Sequence, residues 1–170
     1  KLDPKNTFIF ENGKNFTFKD LEILPIHTFH DCQDGCGFVI KGNKKISILT
    51  DTGWVNSSAM EKMENSNLFY LESNHDVDML LNGTYPFATK QRILSTKGHL
   101  SNENAAEVLS MILKKKKEKI ILGHLSSDNN LPEVALNTIN NMLLSSHKEE
   151  NIDYTIDVAP RFLPSEVFEI

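Results

Sequence analysis

From Leu68 to Val158 the chain alternates short apolar runs with amphipathic helical segments, and this alternation constrains the fold more than any other feature. Leu68–Leu71 and Ile120–Leu122 are too short for helices and read as buried strands. Tyr154, Ile156 and Val158 alternate with polar neighbours as a last strand. Between these runs, Ser101 is placed to cap a helix whose Ala105, Val108, Leu109, Ile112 and Leu113 form an i, i+3, i+4, i+7, i+8 stripe. Lys114–Lys117 sit at its C-terminal end, where positive charge suits the helix dipole. The next helix has Asn129 or Asn130 as its expected cap, Pro132 in its first turn, and Ala135, Leu136, Ile139, Met142 and Leu143 on one face. Shorter helical patterns cover Ser57–Met63 and Val77–Leu81, the second ended by Asn82-Gly83.

The first fifty residues read as hairpins. Thr7–Phe10 is followed by a turn centred on Asn12-Gly13, and Phe16 and Phe18 alternate with polar neighbours. Leu21–Ile26 continues as a strand, with Pro25 placing it at an edge or bulge. Phe38–Ile40 and Lys45–Leu49 bracket a turn at Gly42-Asn43. Hairpins first, then strand–helix alternation, predict an α/β (α+β) chain: a mixed sheet with helices on one face. The tetrapeptide Gly-His-Leu-Ser occurs at 98–101 and again at 123–126, too short an echo for a repeat architecture.

The 170 residues suffice for one domain with a hydrophobic core. A net charge of −5 argues against a nucleic-acid binder that uses its whole surface, while leaving room for a local basic path or a metal-filled site. Lys114–Lys119 reads first as a solvated helix end and second as a phosphate-contacting patch. No apolar run is long enough to span a membrane and no signal-peptide pattern opens the chain, so a cytoplasmic protein without membrane partners is expected. Cys32 and Cys36 are too few for a disulfide scaffold, and no second pair completes a zinc site, so reduced loop thiols are expected. The chain opens on Lys1-Leu2-Asp3-Pro4 without Met, as a processed or truncated product does.

The reactive side chains follow the strands. His30-Asp31 comes after the strand ending near Ile26, Asp51 after Ile46–Leu49, Glu72 after Leu68–Leu71, and His124 after Ile120–Leu122. Four times a strand delivers a histidine or carboxylate just past its carboxyl end, the edge where open α/β sheets form sites. Histidine with carboxylate is the ligand set of zinc, manganese or iron. Each residue alone has a plainer reading: Asp51 before Thr-Gly as a turn former, His75-Asp76 as a helix cap, a histidine after glycine as a structural group. No Gly-x-Ser-x-Gly elbow, P-loop, dinucleotide fingerprint or His-Glu-x-x-His offers a competing chemistry.

The segments His30-Asp31, Thr50-Asp-Thr-Gly-Trp-Val55, Leu71-Glu-Ser-Asn-His-Asp76, Tyr85-Pro86, Lys90-Gln-Arg-Ile93, Lys97-Gly-His-Leu-Ser-Asn102 and Leu122-Gly-His-Leu-Ser126 with Asn129-Asn130 occur in one order over residues 30–130. Together they resemble the C-terminal portion of the metallo-β-lactamase fold, in its YycJ/WalJ-type hydrolases. The resemblance implies that residues 1–170 form the C-terminal half of a single αβ/βα sandwich domain. It implies His30, Asp51 and His124 as metal ligands, with Asp51 bridging two divalent ions of zinc, manganese or iron. His99 matches a position beside the scissile phosphate that assists proton transfer in related nucleases such as the ribonuclease Z group. Glu72, His75 and Asp31 match supporting positions behind the ligands. The implied reaction is hydrolysis of a nucleic-acid phosphodiester, with double-stranded DNA exonuclease as the leading expectation. Hydrolysis of small esters, lactones or thioesters, or a non-catalytic binding role, are the alternatives.

The family's His-x-His-x-Asp-His motif, which lies upstream in its members, is absent from the 170 residues, and His27-x-x-His30-Asp31 does not replace it. Three implied ligands fall short of a dinuclear site, so the chain is expected to need the complementary half, or another chain, for stability and activity. Alone it is expected to be inactive.

Overall fold

The computed structural model describes residues 3, 7–167, 169 and 170. Its centre is one seven-stranded sheet whose strands lie side by side in chain order. They are β1 (Phe16–Phe18), β2 (Leu21–His27), β3 (Cys36–Lys41), β4 (Lys45–Leu49), β5 (Leu68–Glu72), β6 (Glu118–Gly123) and β7 (Tyr154–Val158). The first four pair antiparallel and the last four pair parallel. The crossovers carry α1 (Ser57–Met63) between β4 and β5, then α2 (Val77–Asn82), α3 (Phe87–Ile93) and α4 (Asn102–Ile112) before β6, then α5 (Pro132–Ser145) before β7.

Period-2 alternation sorts the strand residues into two faces. Ile26, Val39, Leu49, Phe69, Leu71, Ile120, Leu122 and Ile156 point into one core shared with Ala105, Leu109, Ile112, Ile139 and Leu143 of the helices. The registers Ile40↔Ile46↔Leu68 and Phe38↔Ile48↔Tyr70↔Ile121 align a second apolar set on the opposite face. Phe8 and Phe10 stack there against Phe16 and Phe38. The helices therefore cover one side of a sheet that is apolar on both.

Local chemistry explains most boundaries. Asp76 and Ser101 cap α2 and α4 by accepting from Met79 N and Asn104 N. Pro25 sits where the short β1 no longer pairs β2, so its missing N–H breaks no ladder on that side. Three expectations are corrected. Thr7–Phe10 is not a strand: the turn at Asn12-Gly13 exists, with Gly13 at φ +78°, but Gly13 N donates to Pro25 O, and the hairpin partner of β2 is β1. Neither Asn129 nor Asn130 caps α5; its N-cap is Leu131, and the Asn130 amide is engaged elsewhere. Lys114–Lys117 lies beyond α4, because the Glu118 carboxylate accepts from Lys114 N and Lys116 N and turns the chain into β6. Cys32 and Cys36 are free thiols. Among the described residues no helix is long and apolar enough to cross a membrane.

Candidate metal centre

β2 runs in the same direction as β4, because both are antiparallel to β3, so β2, β4, β5 and β6 all end at one edge of the sheet. Their carboxyl ends deliver His30, Asp51, Glu72 and His124 to that edge, and the loop before α4 adds His99. Asp51 and His124 have φ of 54° and 58°, left-handed conformations that L-residues adopt at a cost. Two abrupt turns thus lift these side chains off their strand directions and toward each other.

Glu72 organises the cluster. It is fully buried. Its Oε1 accepts from His99 Nδ1 at 2.6 Å and from His124 Nδ1 at 2.7 Å. Its Oε2 accepts from Thr52 N at 3.0 Å. Burial alone would raise this carboxyl; the hydrogen bonds from His124 and His99 outweigh it and hold the pKa below the ordinary value. In return, the Glu72 bond raises the pKa of His124.

A carboxylate oxygen only accepts, so both histidines hold their proton on Nδ1 when neutral and keep the Nε2 lone pair free. His30 is set the same way by a different acceptor: its Nδ1 lies 2.9 Å from Gly98 O, a carbonyl that can only accept. His124 Nε2 is 3.6 Å and His30 Nε2 3.8 Å from Asp51 Oδ1. The His30 and His99 rings are 4.8 Å apart at their centroids, and His99 and His124 5.2 Å. Imidazoles tautomerised by an oxygen behind them and converging on a carboxylate are how proteins prepare nitrogen ligands for a metal. One atom from each of Asp51, Glu72, His99 and His124 lies within 4.8 Å of the others. The donor chemistry fits a divalent transition ion.

All seven residues singled out in the sequence fall in or beside this cluster, in different capacities. His30 stands outside the tight four-residue group but adjoins Asp51. Asp31 faces His30 Nε2 at 3.3 Å and is gripped by Arg92 of α3, through a short bond from Nε and one of 2.8 Å from Nη2. The Arg92 bond lowers the Asp31 pKa to about 2. His75 is 1% exposed, and neither ring nitrogen has a hydrogen-bond partner among the described residues. Thr52, Asn74, Asn102 and Asn130, which the sequence did not mark out as functional, tie the loops together. Polar residues crowd the sequence around each site residue, but nothing in their spacing says which are buried.

Burial lowers the His75 pKa from 6.5 to about 4. The folded value lies below the unfolded one, so this contribution is complete above pH 6.5 and is lost as pH falls from 6.5 to about 4. His75→Phe removes the titration while filling the site. Urea unfolding at pH 7 and pH 4.5 is expected to show wild type losing about 2–3 kcal/mol more than the variant. Equal losses would place the acid sensitivity elsewhere.

The solved metallo-β-lactamase-fold protein YhfI from Bacillus subtilis superposes with a TM-score of 0.63 at 15% identity, over 89% of this chain and 52% of that one. The fold is that of the metallo-β-lactamases. No family model matches the chain. It is 39% identical over 162 residues to the exodeoxyribonuclease WalJ of Streptococcus pneumoniae serotype 2 (strain D39 / NCTC 7466), covering 94% of this chain and 60% of that protein. It is 38% identical over 137 residues to the exodeoxyribonuclease YycJ of Bacillus anthracis, covering 80% and 52%. The chain therefore spans little more than half the length of these metallo-β-lactamase-fold relatives. A mixed sheet with helices on one face, expected from the alternation, is the architecture that carries the cluster, and it has seven strands.

Proposed function

We propose that this chain carries part of the active site of a metal-dependent phosphodiesterase that degrades DNA from its ends. The observation that carries the reading is Glu72 accepting both His99 Nδ1 and His124 Nδ1, which leaves both Nε2 atoms free, that of His124 3.6 Å from Asp51 Oδ1. The similarity to two exodeoxyribonucleases supports the substrate class.

His30, Asp51 and His124 would hold divalent ions, two of them as the resemblance implies, with zinc or manganese suited to the donor set. A bound divalent cation supplies Lewis acidity and a water of lowered pKa. Asp51, half exposed, presents its carboxylate at the mouth of the cluster. His99 is held through Nδ1 by Glu72, so its Nε2 is left to receive a proton and return it to the leaving oxygen. Asp31, held by Arg92, keeps His30 in place. A cleft of roughly 260 Å³ lined by Tyr70, His124 and Arg161 opens beside His124 and offers one cationic side chain to a phosphate backbone.

The second apolar sheet face, with the partly exposed Ile40, Ile46, Phe38 and Ile48, is the surface on which the rest of the domain would pack. The 170 residues then correspond to the C-terminal part of that domain, and they acquire activity once completed.

The test is 5′-labelled double-stranded DNA with Mn2+ or Zn2+, given to the intact protein in which these residues are joined to the complementary half. His99→Ala is expected to lower kcat by about 100-fold or more while bound metal stays near wild type. Loss of metal from His99→Ala would make His99 a ligand. Turnover of small esters without any of DNA would overturn the substrate class.

A further inference from the structure

Behind the histidines lies a buried polar knot that the proposed chemistry does not use. Ser73 and Asn102 are fully buried and Asn130 is 3% exposed. Asn102 Oδ1 accepts from Ser73 Oγ at 2.6 Å and from Asn130 Nδ2 at 2.9 Å, while Asn102 Nδ2 donates to Asn130 Oδ1 at 3.1 Å. Asn130 Nδ2 also donates to Ser73 O at 2.9 Å, and Asn130 Oδ1 accepts from Leu131 N at 3.0 Å. The two amides therefore face each other head to tail, and their flips are decided by the hydroxyl and the backbone groups around them.

The three residues come from three separate segments, two loops and the first turn of α4. Ser73 follows Glu72 at the end of β5, Asn102 follows His99 by three residues, and Asn130 closes the loop that begins at His124. Asn74 adds cross-ties: its N donates to Leu100 O, its O accepts from Ser126 N, and its Nδ2 donates to His124 O at 2.9 Å. Two imidazoles reach one carboxylate oxygen only while these loops hold a fixed separation. Only a short bridge, His75 with Ser101, and single backbone bonds such as Asp76 N to Asn129 O join these segments beyond the strand ends. A buried amide pair enforces the separation because any relative slip leaves a desolvated donor or acceptor unpaired, at about 1–3 kcal/mol each.

We propose that Asn102 and Asn130, with Ser73, are positioning residues that set the spacing of His99 and His124 on Glu72. The proposal rests on the reading of that trio as the working site. Asn102→Asp and Asn130→Asp keep the volume and remove the donated bond. In the intact protein both variants are expected to fold, to lose about 10–100-fold in kcat with KM within about twofold, and to weaken binding of Zn2+ alone by a similar factor. NMR of the imidazoles is expected to show the Nδ1–H signals of His99 and His124 shifted or broadened, which a merely destabilised but intact site would not show. Should both variants unfold, Ser73→Ala decides the matter, because it removes one bond to Asn102: a loss of about threefold or more in kcat is expected. Folded variants with wild-type kcat, Zn2+ affinity and imidazole signals overturn the positioning role. If His99→Ala and His124→Ala themselves leave activity intact, the reading of the site has failed instead.

Discussion

Glu72→Gln is expected to weaken Zn2+ binding and any metal-dependent turnover by about 10–100-fold, although it changes one atom. The carboxylate accepts from His99 Nδ1, His124 Nδ1, Thr52 N and, at 3.5 Å, Leu100 N, four donors and no acceptor. Glutamine has one acceptor oxygen and one donor amide, so it cannot serve all four. With its oxygen toward the histidines, its NH2 meets the Thr52 N–H, donor against donor. With its oxygen toward Thr52, its NH2 meets both imidazoles and drives their protons to Nε2, which in His124 is the atom that faces Asp51. Either arrangement spoils the site. His124 should also titrate lower, because the Glu72 bond is the main cause of its raised pKa. Competitive chelator titration and NMR pH titration of His124 check the two halves of this prediction. Unchanged metal affinity would show that Glu72 does not govern the tautomers.

Gly98→Ala is expected to be the most damaging single methyl in the chain. A Cβ at Gly98 would fall well inside contact distance of Ile93 O and Arg92 O and 2.6 Å from Ile93 C. These are backbone atoms at the end of α3 and cannot swing aside. The opposing backbone is as tight: a Cβ at Gly53 would lie 2.6 Å from Gly98 N. Relief requires the 95–99 loop to move off the end of α3, and the abutting Gly53 leaves it no room to do so without shifting the 51–53 loop. Gly98 O would then move from His30 Nδ1, and His99 from Glu72. Overpacking of this kind costs about 1–3 kcal/mol or more. A lowered Tm together with loss of metal binding is the expected result. Stability lost with the site intact would mean that the loop yields without disturbing the histidines.

The strands and helices were legible where one physical signal acted alone. The stripe from Ala105 to Ile112 and the runs Leu68–Leu71 and Ile120–Leu122 are elements in the structure because burial on one face, or on both, leaves a periodic trace. Thr7–Phe10 misled because its apolar residues pack as side chains against Phe16 and Phe38 without any ladder pairing, and sequence alternation does not distinguish the two. The short α3 was missed: its N-cap is Pro86, which makes no side-chain capping bond, and its only buried residue is Ile93.

The site divides along the same line. His30, Asp51 and His124 follow strand ends and Glu72 is the last residue of its strand, and strand ends are visible in a sequence. By itself, then, the sequence determined which residue types arrive at the sheet edge and in what order. Only the tertiary structure decided that Glu72 lies between two histidines from different loops, that Asn102 pairs with Asn130, and that Gly53 abuts Gly98. The reason is distance along the chain. Periodicity is local and records a residue's own face, whereas these contacts join positions 27 to 52 residues apart, and hydrogen-bond partners at that range leave no periodic mark in the sequence of either one.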